Sequence, residues 1–185
     1  MQPRDSGRVQ ERLLKHLERQ ERQQAYQRDR FFRYKLPEIH NKLLQTLLMK
    51  KVLETDNTAA VSDALLKGLK KALNSSQFDF DYFIAPLRSL VPRPNPYSLY
   101  ITQYLLEVMI GDPSVIDIYG TDEEVYSIVN SVFSEINARF ERTEEEITAE
   151  LAANTSLVPG SREYDLAAEE LTRKKLGDMQ KQGVR

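Results

Sequence analysis

The sequence predicts an all-α fold: two tandem helical repeat units packed as one body, preceded by a basic helical arm. Three observations predict it. Apolar residues recur at helical spacing through most of the 185 residues. An eleven-residue stretch occurs twice, as Ser89-Leu90-Val91-Pro92-Arg93-Pro94-Asn95-Pro96-Tyr97-Ser98-Leu99 and as Ser156-Leu157-Val158-Pro159-Gly160-Ser161-Arg162-Glu163-Tyr164-Asp165-Leu166, with six identities at an offset of 67. Charge is also uneven behind a net −2. Met1 to Leu36 holds ten Lys/Arg against five Asp/Glu, and Glu107 to Glu170 holds three Arg against sixteen Asp/Glu. Residues 1–36 therefore read as an arm, 37–97 as repeat unit 1, and 98–185 as repeat unit 2 with a C-terminal helix.

The arm reads as a polar helix from Ser6 to Tyr34, with Val9, Leu13 and Leu17 as its only apolar stripe. No heptad is sustained, so no long coiled coil is expected. Pro37 is read as a break, because proline disfavours helical geometry in the residue before it. Unit 1 then opens with Ile39, Leu43, Leu44, Leu47 and Leu48 on one helical face. Val52 to Asp56 reads as a short link and Thr58 as an N-cap. Val61, Leu65, Leu69 and Leu73 form the next face, which stops at Asn74-Ser75-Ser76. Phe78, Phe80, Phe83, Ile84 and Leu87 cluster before the first Ser-Leu-Val-Pro turn, where Pro92, Pro94 and Pro96 are read as barring a helix.

Unit 2 repeats the order. Ile101, Leu105, Leu106, Met109 and Ile110 lie 62 positions after the corresponding residues of unit 1. Val115 to Tyr119 is rich in β-branched residues and has the composition of a short strand, although one strand makes no sheet. Thr121 with Glu124 is a capping box. Val125, Val129, Val132, Phe133, Ile136 and Phe140 follow on one face, with Ile147 and Leu151 on a separate shorter helix. Ser161 caps a last helix through Ala167, Leu171 and Leu176, broken at Gly177. Tyr97 and Tyr164 are expected to be buried as equivalent anchors beside their turns.

The C-terminal run carries a resemblance. Ser156-Leu157, then Pro159-Gly160-Ser161-Arg162-Glu163-Tyr164, then Lys181-Gln182-Gly183 resemble the signature of the bacterial family catalogued as domain of unknown function five hundred and seven. That signature is a Ser-Leu pair, then Pro-Glu-Gly-Ser-x-Glu-Trp, then a charged helix ending near Lys-x-Gly. This chain lacks the Glu between Pro and Gly and has Tyr164 in place of Trp. The match covers residues 156–183 closely, and the helical layout extends it back to about residue 98. The resemblance implies a small helical bacterial protein and no chemistry.

Few residues here suit catalysis. There are no cysteines and only His16 and His40, so neither a thiolate metal site nor a histidine-based triad has its parts. Asp117, Asp122, Glu123 and Glu124, and again Glu144, Glu145 and Glu146, do not follow the ligand spacing of a calcium loop. Acids in a first helical turn are explained by the helix dipole. Pro159-Gly160-Ser161 opens a helix as an anion cradle would, but Glu163 and Asp165 stand in its first turn. The expectation is a non-enzymatic chain with no catalytic, cofactor or metal residues. No apolar run is long enough to span a membrane and no apolar leader follows Met1, so a cytoplasmic location is expected.

The arm is the functional candidate, carried by Arg8, Arg12, Leu13, Leu17, Arg19, Arg22, Arg30, Phe31, Phe32 and Arg33. Three partners fit it: a polyanion, an acidic protein, or the body of a second copy. Docking to protein, or self-association, is the preferred reading. RNA or DNA is the alternative, since basic residues interleaved with Phe31, Phe32, Tyr26 and Tyr34 suit phosphates and stacked bases. Glu11, Glu18, Glu21 and Asp29 interrupt the basic run and favour protein.

Overall fold

A computed structural model describes residues 6–74 and 95–178. The described elements are α1 (Ser6–Met49), β1 (Leu53–Thr55), α2 (Thr58–Leu73), α3 (Pro96–Gly111), β2 (Val115–Ile118), α4 (Asp122–Ala153) and α5 (Arg162–Leu176). Among the described residues the fold is helical, with one two-stranded ladder. The Phe78 to Leu87 cluster, the first Ser-Leu-Val-Pro turn up to Pro94, and Lys181 to Gly183 lie outside the described residues.

Helix α1 corrects the expected break at Pro37. It runs unbroken for 44 residues with Pro37 inside it, a rod about 66 Å long. Proline within a helix removes one backbone bond and costs about 3 kcal/mol. Burial on both sides of Pro37 opposes that cost: Phe31, Phe32 and Leu36 precede it, and Ile39, His40, Leu43 and Leu47 follow, all in the core. Phe32, Leu36, Ile39 and Leu43 are spaced by four, three and four, one continuous stripe across the proline.

That stripe packs on α4. Phe31 meets Phe140 edge-on at 5.5 Å, and Phe32 meets Phe133 at 5.6 Å and Tyr97 at 5.5 Å between ring centroids. Ion pairs flank the seam: Arg30 with Glu144, Glu38 with Arg139, and Lys42 with Glu135. Rising numbers on α1 meet falling numbers on α4, so the two helices are antiparallel.

The link after α1 contains a strand. Leu53 pairs with Ile118, Glu54 with Asp117 and Thr55 with Val115, antiparallel, with a register irregularity after Glu54. The sequence marked β2 but left its partner as a link. Val52 accepts backbone bonds from Tyr119 and Gly120 (2.8 and 3.2 Å), and the Tyr119 hydroxyl donates to Glu54 across the ladder. Helix α2 begins one residue earlier in its cap than expected: Asn57, not Thr58, accepts the amide of Ala60 at 3.1 Å. Gly68 brings α2 close to α3, because a Cβ there would stand 3.0 Å from Val108 Cγ2.

Pro96 begins a helix instead of barring one. It occupies the first turn of α3, where a missing amide costs nothing, and the Asn95 carboxamide accepts from Tyr97 and Ser98 (3.0 and 3.2 Å). Ile101, Leu105, Leu106 and Met109 are buried as Ile39, Leu43 and Leu47 are, whereas Ile110 faces outward and its expected counterpart Leu48 is half-buried. The Thr121–Glu124 capping box is present. Helix α4 then runs 32 residues through Leu151, so the separate helix expected at Ile147 is its last turns. The intervening Glu and Arg residues are good helix formers.

Ser161 caps α5, accepting the Tyr164 amide at 3.2 Å, and Gly177 ends it at φ 81°. No residue of α5 is fully buried. Tyr164 and Leu157 are half-buried, not core anchors, and Tyr97 is half-buried beside Phe32. Ala167, Ala168, Leu171 and Leu176 are half-buried, and Lys175 holds the helix to α4 through Glu146 (3.3 Å) and Glu150.

Candidate partner-binding surface

The structure divides the ten arm residues. Arg12, Leu13 and Arg19 are exposed, Leu13 at 55%. Leu14, which the apolar stripe did not include, is exposed too, at 60%. Lys15 pairs with Glu11 at 2.9 Å, one turn away along the same surface. The side chains of Arg8, Leu17 and Arg22 lie outside the described residues.

The other four belong to the body. Phe31 and Phe32 are 5% and 2% exposed and sit in the main core, so neither is offered to a partner. Arg30 lies 5.5 Å over the Tyr34 ring and 2.5 Å from the Glu144 carboxylate, both partners of that pair about a quarter exposed. Arg33 is half-buried. The aromatic and basic residues that read as one interface are thus split between a core seam and an outer helix surface. The signal that separates them is the stripe through Phe32, Leu36, Ile39 and Leu43, which the proline obscures.

Other constellations resolve into structural roles. His40 is buried where α1 meets α2, with Nε2 2.7 Å from the Ser62 carbonyl and 3.2 Å from its hydroxyl. Glu124 closes the capping box, Asp117 accepts the Ile118 amide, and Asp112 accepts from the Ser114 hydroxyl and amide, which hold its carboxyl below the usual range. Glu135 is likewise held low, mainly by its bond from Lys42. Among the described residues no group of three or more acids and histidines could hold a metal, and no helix is long and apolar enough to cross a membrane.

Large apolar side chains are exposed at several places among the described residues. Met49, Ile110, Ile116 and Tyr119 lie around the helix ends and strands of the ladder. Leu13 and Leu14 are exposed on α1, Val158 in the turn before α5 and Leu166 on α5. Because α1 and α4 are antiparallel, the start of α1 points toward the end of α4, from which α5 follows. No family model, no curated protein and no solved structure matches this chain.

Proposed function

We propose that the chain is a non-enzymatic interaction or scaffold protein of a bacterial assembly, and that the outer part of α1 is its protein-docking arm. One observation carries this. On a single helix, Phe31 and Phe32 are withdrawn into the core while Leu13 and Leu14 stand exposed among charges of both signs. Stacking on bases needs exposed rings, and the described outer surface of α1 offers leucines instead. An apolar pair rimmed by charge suits a protein surface. The docking arm lies before Arg30, the first described side chain of the core seam.

We also propose that α1–β1–α2 and α3–β2–α4 are two copies of one unit sharing a core. The order helix–strand–helix occurs twice, and antiparallel pairing of β1 with β2 suits a local two-fold relation. The resemblance at residues 156–183 agrees with a small helical bacterial protein and adds no activity.

The test of the docking arm uses the full chain and Leu13→Asp/Leu14→Asp. Capture of a protein from a bacterial extract that the double variant loses is the expected result. The nucleic-acid reading wins if single-stranded RNA or duplex DNA binds through Arg12 and Arg19 with an affinity that drops about a thousandfold between roughly 50 and 200 mM salt.

A further inference from the structure

We infer that the outer face of the β1–β2 ladder is a docking site for an arginine-bearing segment of a partner protein, with the guanidinium set between Glu54 and Asp117. This site is separate from the outer part of α1 and does not depend on the docking-arm reading.

The register of the ladder builds the face. Glu54 stands opposite Asp117 and Thr55 opposite Val115, so Ile116 is an extra residue and β2 bulges there. A bulge sets two residues against one, and Ile116 and Asp117 are both exposed, Ile116 at 58%. Tyr119 comes two residues after Asp117, on the same face, and is 63% exposed. Its hydroxyl donates to Glu54 across the ladder. Two carboxylates, an aromatic ring and a branched aliphatic side chain thus share one surface, while Leu53 faces the core.

Charge selects the occupant. Like charges directly opposite on a ladder repel, and among the described residues no lysine or arginine pairs with Glu54 or Asp117. The donors they do have are neutral, the Tyr119 hydroxyl on Glu54 and the Ile118 amide on Asp117. That hydroxyl is pushed above its usual pKa, first by its bond to Glu54 and then by the Glu54 charge, with desolvation and Asp117 adding to it. Both carboxylates therefore act on one point. Within 50–57 and 112–121 the other acids are Asp56 and Asp112, and the bases, Lys50 and Lys51, both come before β1.

A cation held between Glu54 and Asp117 removes their repulsion. Arginine suits the place better than lysine, because its planar fork donates to two carboxylates at once and its flat face stacks on a tyrosine ring. Ile116 offers an apolar contact to the residue beside the arginine. An aromatic and aliphatic centre with a charged rim is the usual make-up of a protein contact.

Nuclear magnetic resonance of the isotope-labelled full chain tests this with three capped probes: the tripeptide leucyl-arginyl-leucine, its lysine counterpart, and arginine amide alone. The arginine tripeptide should shift the amides of Glu54 and of Ile116 to Tyr119 saturably, and bind more tightly than either other probe. Glu54→Gln/Asp117→Asn should weaken it by at least about tenfold, as loss of charge-assisted bonds does. Melting should hold in that variant, because both residues are exposed and their repulsion goes; Asp117→Asn alone gives the same reading if it does not. Ile116→Ser keeps the charges and should lower the tripeptide's affinity toward that of arginine amide. Four results overturn the inference: no saturable shift on the ladder, shifts as large around other acids such as Glu163 and Glu169, a folded charge-neutralised variant that binds like the native chain, or a lysine or arginine-amide probe that binds as tightly.

Discussion

Arg30 of α1 and Glu144 of α4 stand 2.5 Å apart, beside the first rings of the core. The next two residues along α1, Phe31 and Phe32, are already buried. Arg30 is therefore the first described side chain of the seam between α1 and the body, seven residues before Pro37, where the sequence had put the boundary.

Truncation reads this boundary directly. A chain beginning at Asp29 keeps the seam and should unfold cooperatively with nearly unchanged stability. One beginning at Lys35 loses Phe31 and Phe32, at about 3–5 kcal/mol for each buried ring, and should be unfolded or severely weakened. Urea denaturation followed by circular dichroism separates the two; equal midpoints would place the seam elsewhere.

Single substitutions should rank by burial. Phe32→Ala should cost about 3–5 kcal/mol, and Tyr164→Ala clearly less, because that ring is half-buried. Leu13→Asp, on an exposed surface, should move stability by no more than about 0.5 kcal/mol. A Leu13→Asp as damaging as Phe32→Ala would mean the outer part of α1 packs on its own body.

The ladder has a close approach that a methyl group should disturb. At Gly120 a Cβ would fall 2.5 Å from Val52 Cγ1, so Gly120→Ala forces a shift and should cost about 1–3 kcal/mol. Val52→Ala in the same chain should recover part of that loss. A double variant no more stable than Gly120→Ala alone would show that the clash lies with another neighbour.

Lys175 makes the docking of α5 sensitive to alkali. Its pKa is raised above the usual 10.5, first by its bond to the Glu150 carboxylate, against desolvation, and further by Glu146. A folded-state pKa above the unfolded one gives stability that is present at neutral pH and lost as pH rises through the raised value. Both glutamates are exposed, so the effect is small. Melting followed in the far ultraviolet should fall more steeply above about pH 10.5 for the native chain than for Lys175→Gln; parallel curves would remove Lys175 from the contact.

Much of the helical order was legible because helices bury one face and end on recognisable caps. Thr121 with Glu124, and Ser161 with Gly177, sit where their residue types place them. Three features were hidden for physical reasons. Pro37 carries a local penalty that only burial of residues far along the chain offsets, so reading it locally splits α1. Pairing of β1 depends on β2, some sixty residues away, and no local pattern in Leu53-Glu54-Thr55 announces it. Phe31 and Phe32 looked like interface rings because their neighbours are basic, yet Phe133 and Phe140 claim them. On the surface, the leucines of α1 were partly visible as a stripe. Tyr164 was expected as a buried anchor and is half-buried, because depth of burial cannot be read from spacing on a helix with no buried residue.

The most direct measurement of the docking arm is photo-cross-linking from position 13 in the full chain, in bacterial cells, with adducts analysed after nuclease and protease treatment. The account predicts protein adducts that resist nuclease, weaken with Arg12→Glu/Arg19→Glu, and are absent when the probe is moved to the buried Leu43. Adducts removed by nuclease, or none at all from position 13, would contradict it.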